Sequence, residues 1–482
     1  MPPPATYTAA RPATLTPLCV DLDGTLVKSD TLIDSLLVLL RSKPFTALQL
    51  PAQVLKGKAA FKAFVTHTVS LDVTHLPYNR DLLHYLQAER AKGRDIYLAT
   101  GADQRLAQRV ADHLGIFAGV LGSDGATNLT GKNKLERLRS QLPGESFDYI
   151  GNDTPDLPLL AHSAEPMVAN PTLRLRLKLG SIHPVRRFDQ RAHPLRSFLK
   201  AIRVHQWAKN ALIFFPLLLA HDFHPQRLLS ALLAFASFSL AASATYIVND
   251  LLDIEADRRH RRKRMRPFAA GDLSATQGFA IVASFLALAA LGAGFLPTAF
   301  ALWLLLYLAT TIAYTGYLKR VPLVDVLILS GLYTLRLLAG SAATFTPISH
   351  WLAGFSIFLF LSLGIVKRFA ELENLRASGT QPSNGRGYFL TDLEQLRTFG
   401  TSSAYAAVVI FAIYISGRDV TKLYHNPNYL WFVVPLMLLW LNRVWLLASR
   451  GKLDEDPVVF AITDRMSLLI GVATAAIVFL AT

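Results

Sequence analysis

A series of long apolar stretches in the second half of the chain constrains its fold more than any other feature. About nine of them follow one another after residue 208, several short and most close to the roughly 20 residues that cross a bilayer. They lie near 209–221, 227–249, 277–295, 298–316, 322–344, 350–369, 396–416, 429–449 and 464–481. We therefore predict a polytopic all-α membrane domain of about nine transmembrane helices over residues 208–482.

The distribution of positive charge predicts how this domain is oriented. The chain has 49 Lys and Arg against 34 Asp and Glu, a net charge of +15. Loops rich in Lys and Arg follow the second, fourth, sixth and eighth predicted spans, whereas the loops between them carry little positive charge. The positive-inside rule then predicts a multi-pass protein of the inner (cytoplasmic) membrane, with its N-terminal part in the cytoplasm. No interleaved basic and aromatic motif indicates a nucleic-acid partner.

The first half of the chain is much less apolar and is typical of a soluble domain. Residues 1–15, rich in Pro, Ala and Thr, lack the apolar core of a signal peptide, and we expect them to be disordered. Residues 173–207 are basic and are predicted to form a juxtamembrane linker on an anionic leaflet, although an exposed linker with no lipid role fits equally well. A single cysteine, Cys19, excludes an internal disulfide.

Acidic residues follow short apolar strands in this soluble half. The predicted strand Leu18–Val20 is followed by Asp21 and Asp23, and alternation along an extended chain brings the two carboxylates to one site. Further polar residues end a second strand, begin a helix and end a third strand. These residues are Thr100, Lys134, Asn152, Asp153 and Asp156.

The four motifs resemble those of haloacid dehalogenase-like hydrolases, and the resemblance covers residues 16–172. It implies an α/β, Rossmann-like domain that uses Mg²⁺, and the apolar helical periodicity of about 28–92 indicates a small helical cap. Asp21 would be the nucleophile, Asp23 the general acid and base, and Thr100 and Lys134 the holders of the phosphoryl oxygens. The expected metal ligands are Asp21, Asp23, Asp153 and Asp156.

One position departs from the pattern of these hydrolases. Asn152 stands where the first acid of the last motif is usual, and an amide oxygen can coordinate a metal but carries no charge. A retained fold with weak or no turnover is therefore a second interpretation of this domain.

The segment Asn249–Asp257 follows an apolar span directly and precedes a dense run of basic residues. Asp250, Asp253 and Asp257 fall at i, i+3 and i+7, so on one continuous helix they share a face. Carboxylates this close repel one another unless a cation lies between them, and Mg²⁺ commonly bridges carboxylates to phosphates. We predict a Mg²⁺–pyrophosphate site at the cytoplasmic mouth of a membrane cavity. A solvated helix end followed by charges that set the topology is the alternative.

Together with two other motifs, this segment resembles the UbiA-type intramembrane prenyltransferases over about 195–482. The other two are Arg203–Asn210, at the entry to the first span, and Tyr314–Lys319, after the fourth. The chain looks most like the polyprenyl-phosphate phosphoribosyltransferases, the decaprenyl-phosphate branch. Ordinary members carry a second aspartate-rich motif after the sixth span, whereas the corresponding segment here, Val366–Leu372, contains Lys367 and Arg368.

This resemblance implies phosphoribosyl pyrophosphate as the donor and a polyprenyl phosphate as the acceptor, in a pathway to polyprenyl-phosphate arabinofuranose donors. Asp250 and Asp253 would be catalytic through Mg²⁺, with Asp257 as a further ligand. The expected substrate-binding residues are Lys209, Asn210, Asn249, Arg262, Arg266, Tyr314, Lys319, Arg336, Lys367, Arg368 and Arg386. The fused hydrolase would remove the 5-phosphate of the lipid product.

Two other functions remain open at the level of sequence. Prenyl transfer to an aromatic or other small acceptor is one, although the missing second aspartate motif argues against it. A transporter or lipid-binding membrane protein with a regulatory soluble domain is the other, since charges within a membrane also mark transport paths. The sequence leaves the oligomeric state and the polyprenol length undetermined.

Overall fold

A computed structural model describes residues 15–125, 127–142, 146–190, 192–377, 386–421, 423–453 and 457–482. The chain divides into two compact units. Unit 1 comprises Met1–Ile202 and Tyr246–Ile281, and unit 2 comprises Arg203–Thr245 and Val282–Thr482. Apart from Leu15, the N-terminal segment expected to be disordered lies outside the described residues.

Unit 1 is built on a six-stranded parallel sheet with the strand order β3-β2-β1-β4-β5-β6. Its strands are β1 Leu18–Val20, β2 Ile96–Asp103, β3 Gly119–Ser123, β4 Asp148–Gly151, β5 Pro166–Ala169 and β6 Arg186–Phe188. The central strand β1 pairs with β2 on one side and with β4 on the other. The carboxyl ends of these three strands therefore meet at one edge of the sheet, and the parallel sheet expected from the sequence is present.

Helices cover both faces of this sheet, as a parallel sheet requires. Those within residues 15–202 are α1 Thr31–Ser42, α2 Pro44–Ala47, α3 Leu50–Leu55, α4 Lys58–Thr68, α5 Arg80–Ala91, α6 Gln104–Leu114, α7 Lys132–Gln141, α8 Leu157–His162, α9 Leu173–Lys178 and α10 Pro194–Ile202. Leu18 and Val20 belong to one apolar core with residues of α5 and α6. Cys19 points to the opposite face and packs with residues of α7 and α8.

Two boundaries inferred from the sequence differ from those of the elements in the structure. Helix α5 lies within the range assigned to the cap, but Leu82 and Leu86 are fully buried in the core beside the sheet, so the helical insertion ends before it. The range assigned to a linker contains β6, which pairs with β5. This edge strand has only three residues, and Arg186 and Arg187 are exposed, so the sequence shows no clear alternation there.

The segment that carries the aspartates also belongs to unit 1. The long helix α12, Pro225–Leu252, ends at Leu252, and α13, Ile254–Arg259, begins after a break at Asp253, whose φ and ψ are −93° and 7°. A short 3₁₀ turn, Lys263–Met265, follows. The single helix face predicted for the three aspartates is therefore interrupted at the middle one.

Unit 2 is helical. Its remaining helices are α11 Phe215–Ala220, α14 Ala275–Gly294 (from Val282 onward), α15 Thr298–Gly316, α16 Val324–Thr344, α17 His350–Ala377, α18 Leu393–Ile415, α19 Arg418–Thr421, α20 Val433–Ser449, α21 Pro457–Thr463 and α22 Arg465–Ala481. Further 3₁₀ segments are Val204–Phe214, Leu318–Arg320, Leu390–Asp392 and Pro427–Phe432, and Thr154–Asp156 lies in unit 1.

Among the described residues, seven helical segments are long and apolar enough to cross a membrane, which supports a multi-pass membrane protein. The two other predicted spans are shorter. The first is the 3₁₀ segment Val204–Phe214 joined to the six-residue α11, and the last is the 17-residue α22. The first of these segments packs closely against α16. A Cβ added at Gly340 of α16 would lie only 2.2 Å from the carbonyl oxygen of Ile213.

Candidate functional site

The first candidate site lies at the edge of the sheet in unit 1, around the buried carboxylate of Asp21. Asp21 directly follows β1, and its Oδ1 accepts a hydrogen bond of 2.9 Å from Lys134 Nζ. The same ammonium lies 2.9 Å from the hydroxyl of Tyr149 and 3.4 Å from Asp156 Oδ1. Lys134 thus joins the two carboxylates, and its position suits a group that balances charge in a phosphate site.

The two other predicted acids of this site are committed to hydrogen bonds within the protein. Asp156 Oδ1 accepts from Tyr149, and its Oδ2 accepts from the backbone N–H groups of Asn152 and Asp153. Asp153 Oδ1 accepts from Thr154 N and from Thr172 Oγ1, at 2.8 Å in each case. Both acids therefore fix the loop after β4, and their role as metal ligands stays a prediction.

The general acid predicted for this site, Asp23, lies on a turn that a glycine makes possible. Its Oδ1 accepts a 2.8 Å hydrogen bond from the N–H of Thr31 at the start of α1. Gly24 has a φ of +75°, and a Cβ there would lie 2.0 Å from Asn152 Nδ2. The amide of Asn152 thus packs directly against the turn. Thr100 is fully buried on β2, where its Oγ1 accepts from the N–H of Ala102.

Burial raises the pKa values of Asp21 and Asp23 to different extents. It raises the pKa of Asp21 to about 6, although the neighbouring Lys134 lowers it. Burial, followed by the charge of Asp30, raises the pKa of Asp23 to about 8. Burial thus raises the pKa of Asp23 further than that of Asp21, which is the order that suits a general acid beside a nucleophile.

These groups line a cavity of about 890 Å³ in unit 1. A cation that the sequence analysis missed, Lys62 of α4, lines the same cavity and donates to the carbonyl oxygen of Gly101 at 2.6 Å and to Asn128 Oδ1 at 2.7 Å. Burial lowers the pKa of Lys62. The cavity is also lined by residues of the aspartate-containing segment and the loop after it, among them Ile254 and Phe268.

The second candidate site is the aspartate segment itself. Asp250 and Asp257 are buried, and both accept from Arg266 NH1, at 3.0 Å for Asp250 Oδ1 and 2.7 Å for Asp257 Oδ2. Asp253, at the helix break, instead pairs with Arg41 at the end of α1. The structure thus brings together two of the three predicted carboxylates and directs the third elsewhere. Arg262 is exposed, and Asn249 is half-buried.

Two of these aspartates have a donor set that suits a divalent cation. Carboxylate oxygens of Asp250 and Asp257 already converge on one positively charged nitrogen, and carboxylates are the oxygen ligands that Mg²⁺ prefers. Within the described ranges no group of three or more His, Cys, Asp or Glu is arranged to hold a metal ion. Further ligands would have to come from substrate or water, as is usual for Mg²⁺.

A buried cluster in unit 2 contains Arg368, one of the two cations predicted to stand in place of a second aspartate motif. Arg368 of α17 donates from Nε to Asp325 Oδ2 at 2.6 Å and from NH1 to Glu371 at 2.8 Å, and its NH2 lies 3.3 Å from the hydroxyl of Tyr314. Tyr388 donates to the second oxygen of Asp325, and Arg386 pairs with Glu371 at 2.9 Å. Two acids thus occupy most of the donors of Arg368, and its role in binding a substrate phosphate stays a prediction.

A second buried cation of unit 2, Arg336, is hydrogen-bonded to another predicted residue, Asn210. Arg336 of α16 donates from Nε to Asn210 Oδ1 at 2.8 Å and from NH1 to the carbonyl oxygen of Leu332. Its guanidinium carbon lies 5.2–5.5 Å from the ring centroids of three aromatic residues, an arrangement that stabilises a cation. These rings belong to Phe238, Tyr307 and Tyr333.

The other predicted residues of unit 2 lie around these clusters. Lys209 Nζ is 5.7 Å from the ring centroid of Tyr333, next to Arg336. Lys319, in the 3₁₀ segment after α15, and Lys367 of α17 are half-buried. Sequence reasoning gave no role to Glu371, although it is an acidic residue directly after a predicted apolar span.

Seven apolar helices in the described part of the chain, and a buried acidic segment after one of them, define a polytopic membrane protein with a polar site at a helix end. The model of the UbiA prenyltransferase family matches residues 211–471, and the chain belongs to this family. It is 38% identical to uncharacterized protein y4nM of Sinorhizobium fredii over 466 residues, which are 95% of this chain and 90% of that protein. That alignment includes the N-terminal half.

Two further similarities concern the C-terminal half. The chain is 32% identical to decaprenyl-phosphate phosphoribosyltransferase of Mycobacterium tuberculosis over 294 residues, which are 60% of this chain and 94% of that protein. A UbiA homolog from Archaeoglobus fulgidus, solved with DMAPP and Mg²⁺, is similar with a TM-score of 0.45 and 17% identity, over 58% of this chain and 99% of that one.

Proposed function

We propose that the chain transfers a 5-phosphoribosyl group from phosphoribosyl pyrophosphate to a polyprenyl phosphate and releases pyrophosphate. The observation that carries this proposal is the pairing of charges around Val366–Leu372, the segment that corresponds to the second aspartate-rich motif of ordinary UbiA-type enzymes. There, Arg368 and Arg386 neutralise Asp325 and Glu371, so a second metal on a prenyl diphosphate is disfavoured. The similarity to a decaprenyl-phosphate phosphoribosyltransferase supports the same donor and acceptor.

The residues suit a displacement at the anomeric carbon of the ribose. Asp250 and Asp257 would hold Mg²⁺, which supplies charge neutralisation for pyrophosphate as it leaves. Arg266, which already bridges these two acids, would then donate hydrogen bonds to the pyrophosphate. An oxygen of the acceptor phosphate forms the new bond to C1 as the bond from C1 to pyrophosphate breaks. Because that oxygen is anionic, the step needs no general base.

Arg336 is the residue we assign to the acceptor phosphate. Its guanidinium is buried and held by an amide, a carbonyl oxygen and aromatic rings, which are neutral groups that leave its positive charge in place. An intramembrane cation of this kind marks a site for an anion or a transport path. We assign the lipid phosphate to it because the family acts on prenyl substrates.

We further propose that the N-terminal half is a haloacid dehalogenase-like phosphatase, active on the 5-phosphate of the lipid product. Asp21 would attack phosphorus as the ester bond to the leaving oxygen breaks, and Asp23 would give that oxygen its proton. Lys134 and Thr100 would hold the phosphoryl oxygens. Asp23 would then take a proton from the water that hydrolyses the aspartyl phosphate, releasing inorganic phosphate.

An assay of the purified full chain with ribose-labelled phosphoribosyl pyrophosphate and polyprenyl phosphate tests the transfer. We expect the label in the lipid fraction and pyrophosphate release that requires both substrates. Transfer of a prenyl group from a prenyl diphosphate to an aromatic acceptor would instead assign the chain to the other branch. Absence of pyrophosphate release with either pair would favour a transporter or lipid-binding protein of the cytoplasmic membrane.

A further inference from the structure

Hydrogen bonds join the turn that carries Asp23 to the start of α1. The N–H of Thr31 donates to Asp23 Oδ1 at 2.8 Å, and the N–H of Gly24 donates to the carbonyl oxygen of Ser29 at 3.2 Å. The location of the Asp23 carboxyl group therefore depends on Ser29 and Thr31, which lie at the start of α1.

A residue from the second half of the sequence holds this part of α1. Arg258 of α13 donates from NH1 to Asp34 Oδ2 at 2.8 Å and from NH2 to Ser29 Oγ at 3.0 Å. Ser29 Oγ itself donates to Asp34 Oδ2 at 2.7 Å. The side chains of Arg258 and Asp34 are 3% and 2% exposed, so water does not weaken the pair.

Other residues of the stretch between α12 and α14 contact α1 or the residues just before it, or line the cavity that contains Asp23. Arg41, at the other end of α1, pairs with Asp253. Gly271 has a φ of +73°, and a Cβ there would lie 2.7 Å from Cβ of Lys28, so the two backbones approach closely. Ile254 and Phe268 line the cavity that contains Asp21 and Asp23.

We propose that residues 253–271, from the middle aspartate through the loop after α13, are a structural part of the phosphatase site and that Arg258 is a positioning residue for its general acid. Arg258 fixes Ser29 and Asp34, these fix the start of α1, and the start of α1 fixes Asp23. This inference rests on the phosphatase activity proposed above. It means that residues between two membrane-spanning helices of the transferase half determine how fast the hydrolase half turns over.

Steady-state hydrolysis of p-nitrophenyl phosphate by the full chain in detergent tests the proposal, together with hydrogen–deuterium exchange over residues 24–34. Arg258→Met should lower kcat by about 10–100-fold, because a small misplacement of a catalytic group has effects of this size, while KM stays within about twofold. Exchange at the Thr31 amide should become faster. Arg258→Lys keeps the charge but lacks the forked guanidinium, so its kcat should be intermediate.

Arg259→Met is the matched control. Arg259 neighbours Arg258 on α13 and also pairs with an acid of the N-terminal half, but that acid is Asp72, which lies outside the Asp23 turn. The control variant should leave kcat and the exchange unchanged. If Arg258→Met does not fold, a reduced kcat of the folded Arg258→Lys variant would support the proposal, and a normal one would overturn it.

The two possible failures can be told apart with Asp21→Asn. Wild-type turnover that exceeds that of Asp21→Asn, combined with unchanged kcat and exchange in Arg258→Met, would overturn the positioning role alone. Wild-type turnover no higher than that of Asp21→Asn would overturn the phosphatase itself, and the inference about its general acid with it.

Discussion

Arg368 is buried among two acids and a tyrosine hydroxyl. It is 2% exposed, and its donors serve Asp325, Glu371 and Tyr314. Removing one member of such a buried ion pair leaves its partners charged and desolvated, which typically costs about 3–5 kcal/mol. We therefore expect Arg368→Ala to destabilise the protein by about that amount rather than to change only the KM for the donor.

Thermal unfolding in detergent measures this effect. Arg376→Ala, which removes an exposed ion pair on the same helix, should shift the midpoint little, because exposed pairs contribute about 0–1 kcal/mol. A folded Arg368→Ala variant with an unchanged midpoint and a raised KM would instead support the predicted phosphate-binding role of Arg368.

Gly24 offers a second test on the scale of one residue. Both its φ of +75° and the 2.0 Å approach of Asn152 Nδ2 oppose a side chain, so Gly24→Ala should displace the Asp23 turn and lower hydrolysis of a phosphomonoester about 100-fold. Gly93→Ala is the control, because Gly93 has a φ of +86° but a Cβ there would meet no atom within 4 Å. Equal activity of the two variants would show that the contact with Asn152 is not what sets the position of the turn.

At the scale of single elements, the end of α12 decides how the three aspartates are used. Because the helix breaks at Asp253, Asp250 and Asp257 converge on Arg266 while Asp253 pairs with Arg41. We expect Asp250→Ala and Asp257→Ala each to abolish phosphoribosyl transfer, and Asp253→Ala to retain a measurable rate. Transfer of labelled ribose to lipid measures the three rates. A loss at Asp253 as complete as at Asp250 would mean that all three carboxylates act on one cation.

The same elements show what the sequence could predict. The strand before Asp21 and the strand that contains Thr100 were recognisable because short apolar runs precede these polar residues, and the two strands pair in the parallel sheet. The long membrane helices followed from apolar length alone. The edge strand β6 was not recognisable, because a three-residue strand with two exposed arginines carries no pattern.

Contacts between distant parts of the sequence account for what could not be predicted. Arg258 was one of many cations in a basic run, and nothing local distinguishes it from its exposed neighbour Arg259. Only the fold shows that Arg258 is buried against Asp34, 224 residues away. The break at Asp253 was equally hidden, because i, i+3, i+7 spacing predicts a shared face only if the helix continues.

On the scale of the whole molecule, the two halves of the sequence are not two independent compact units. Residues Tyr246–Ile281 run from the end of the spanning helix α12 to the start of the spanning helix α14, yet they cluster with the N-terminal half. The similarity to y4nM, which extends over 95% of the chain, indicates that this pairing of halves is not peculiar to one protein. A structural unit shared by both halves is the arrangement expected if the two proposed reactions act in sequence on one lipid.

The nucleophile of the proposed phosphatase provides the test of that order. Asp21→Asn removes the attacking oxygen while keeping the size of the side chain, and neither Asp21 nor its partner Lys134 is among the residues proposed to act in the transfer. The variant should therefore still release pyrophosphate from phosphoribosyl pyrophosphate and polyprenyl phosphate. Its lipid product should retain the 5-phosphate, whereas the wild type should release inorganic phosphate and yield the dephosphorylated lipid.

Mass spectrometry of the lipid products compares the two proteins directly. Asn152→Asp in the same assay should hold or raise phosphate release, because it restores a charged ligand near Asp21. If wild type and Asp21→Asn gave the same phosphorylated lipid, the N-terminal half would act on a different ester or on none. If both gave the dephosphorylated lipid, the phosphate would be lost without Asp21, and the proposed nucleophile would be wrong while the transfer stood.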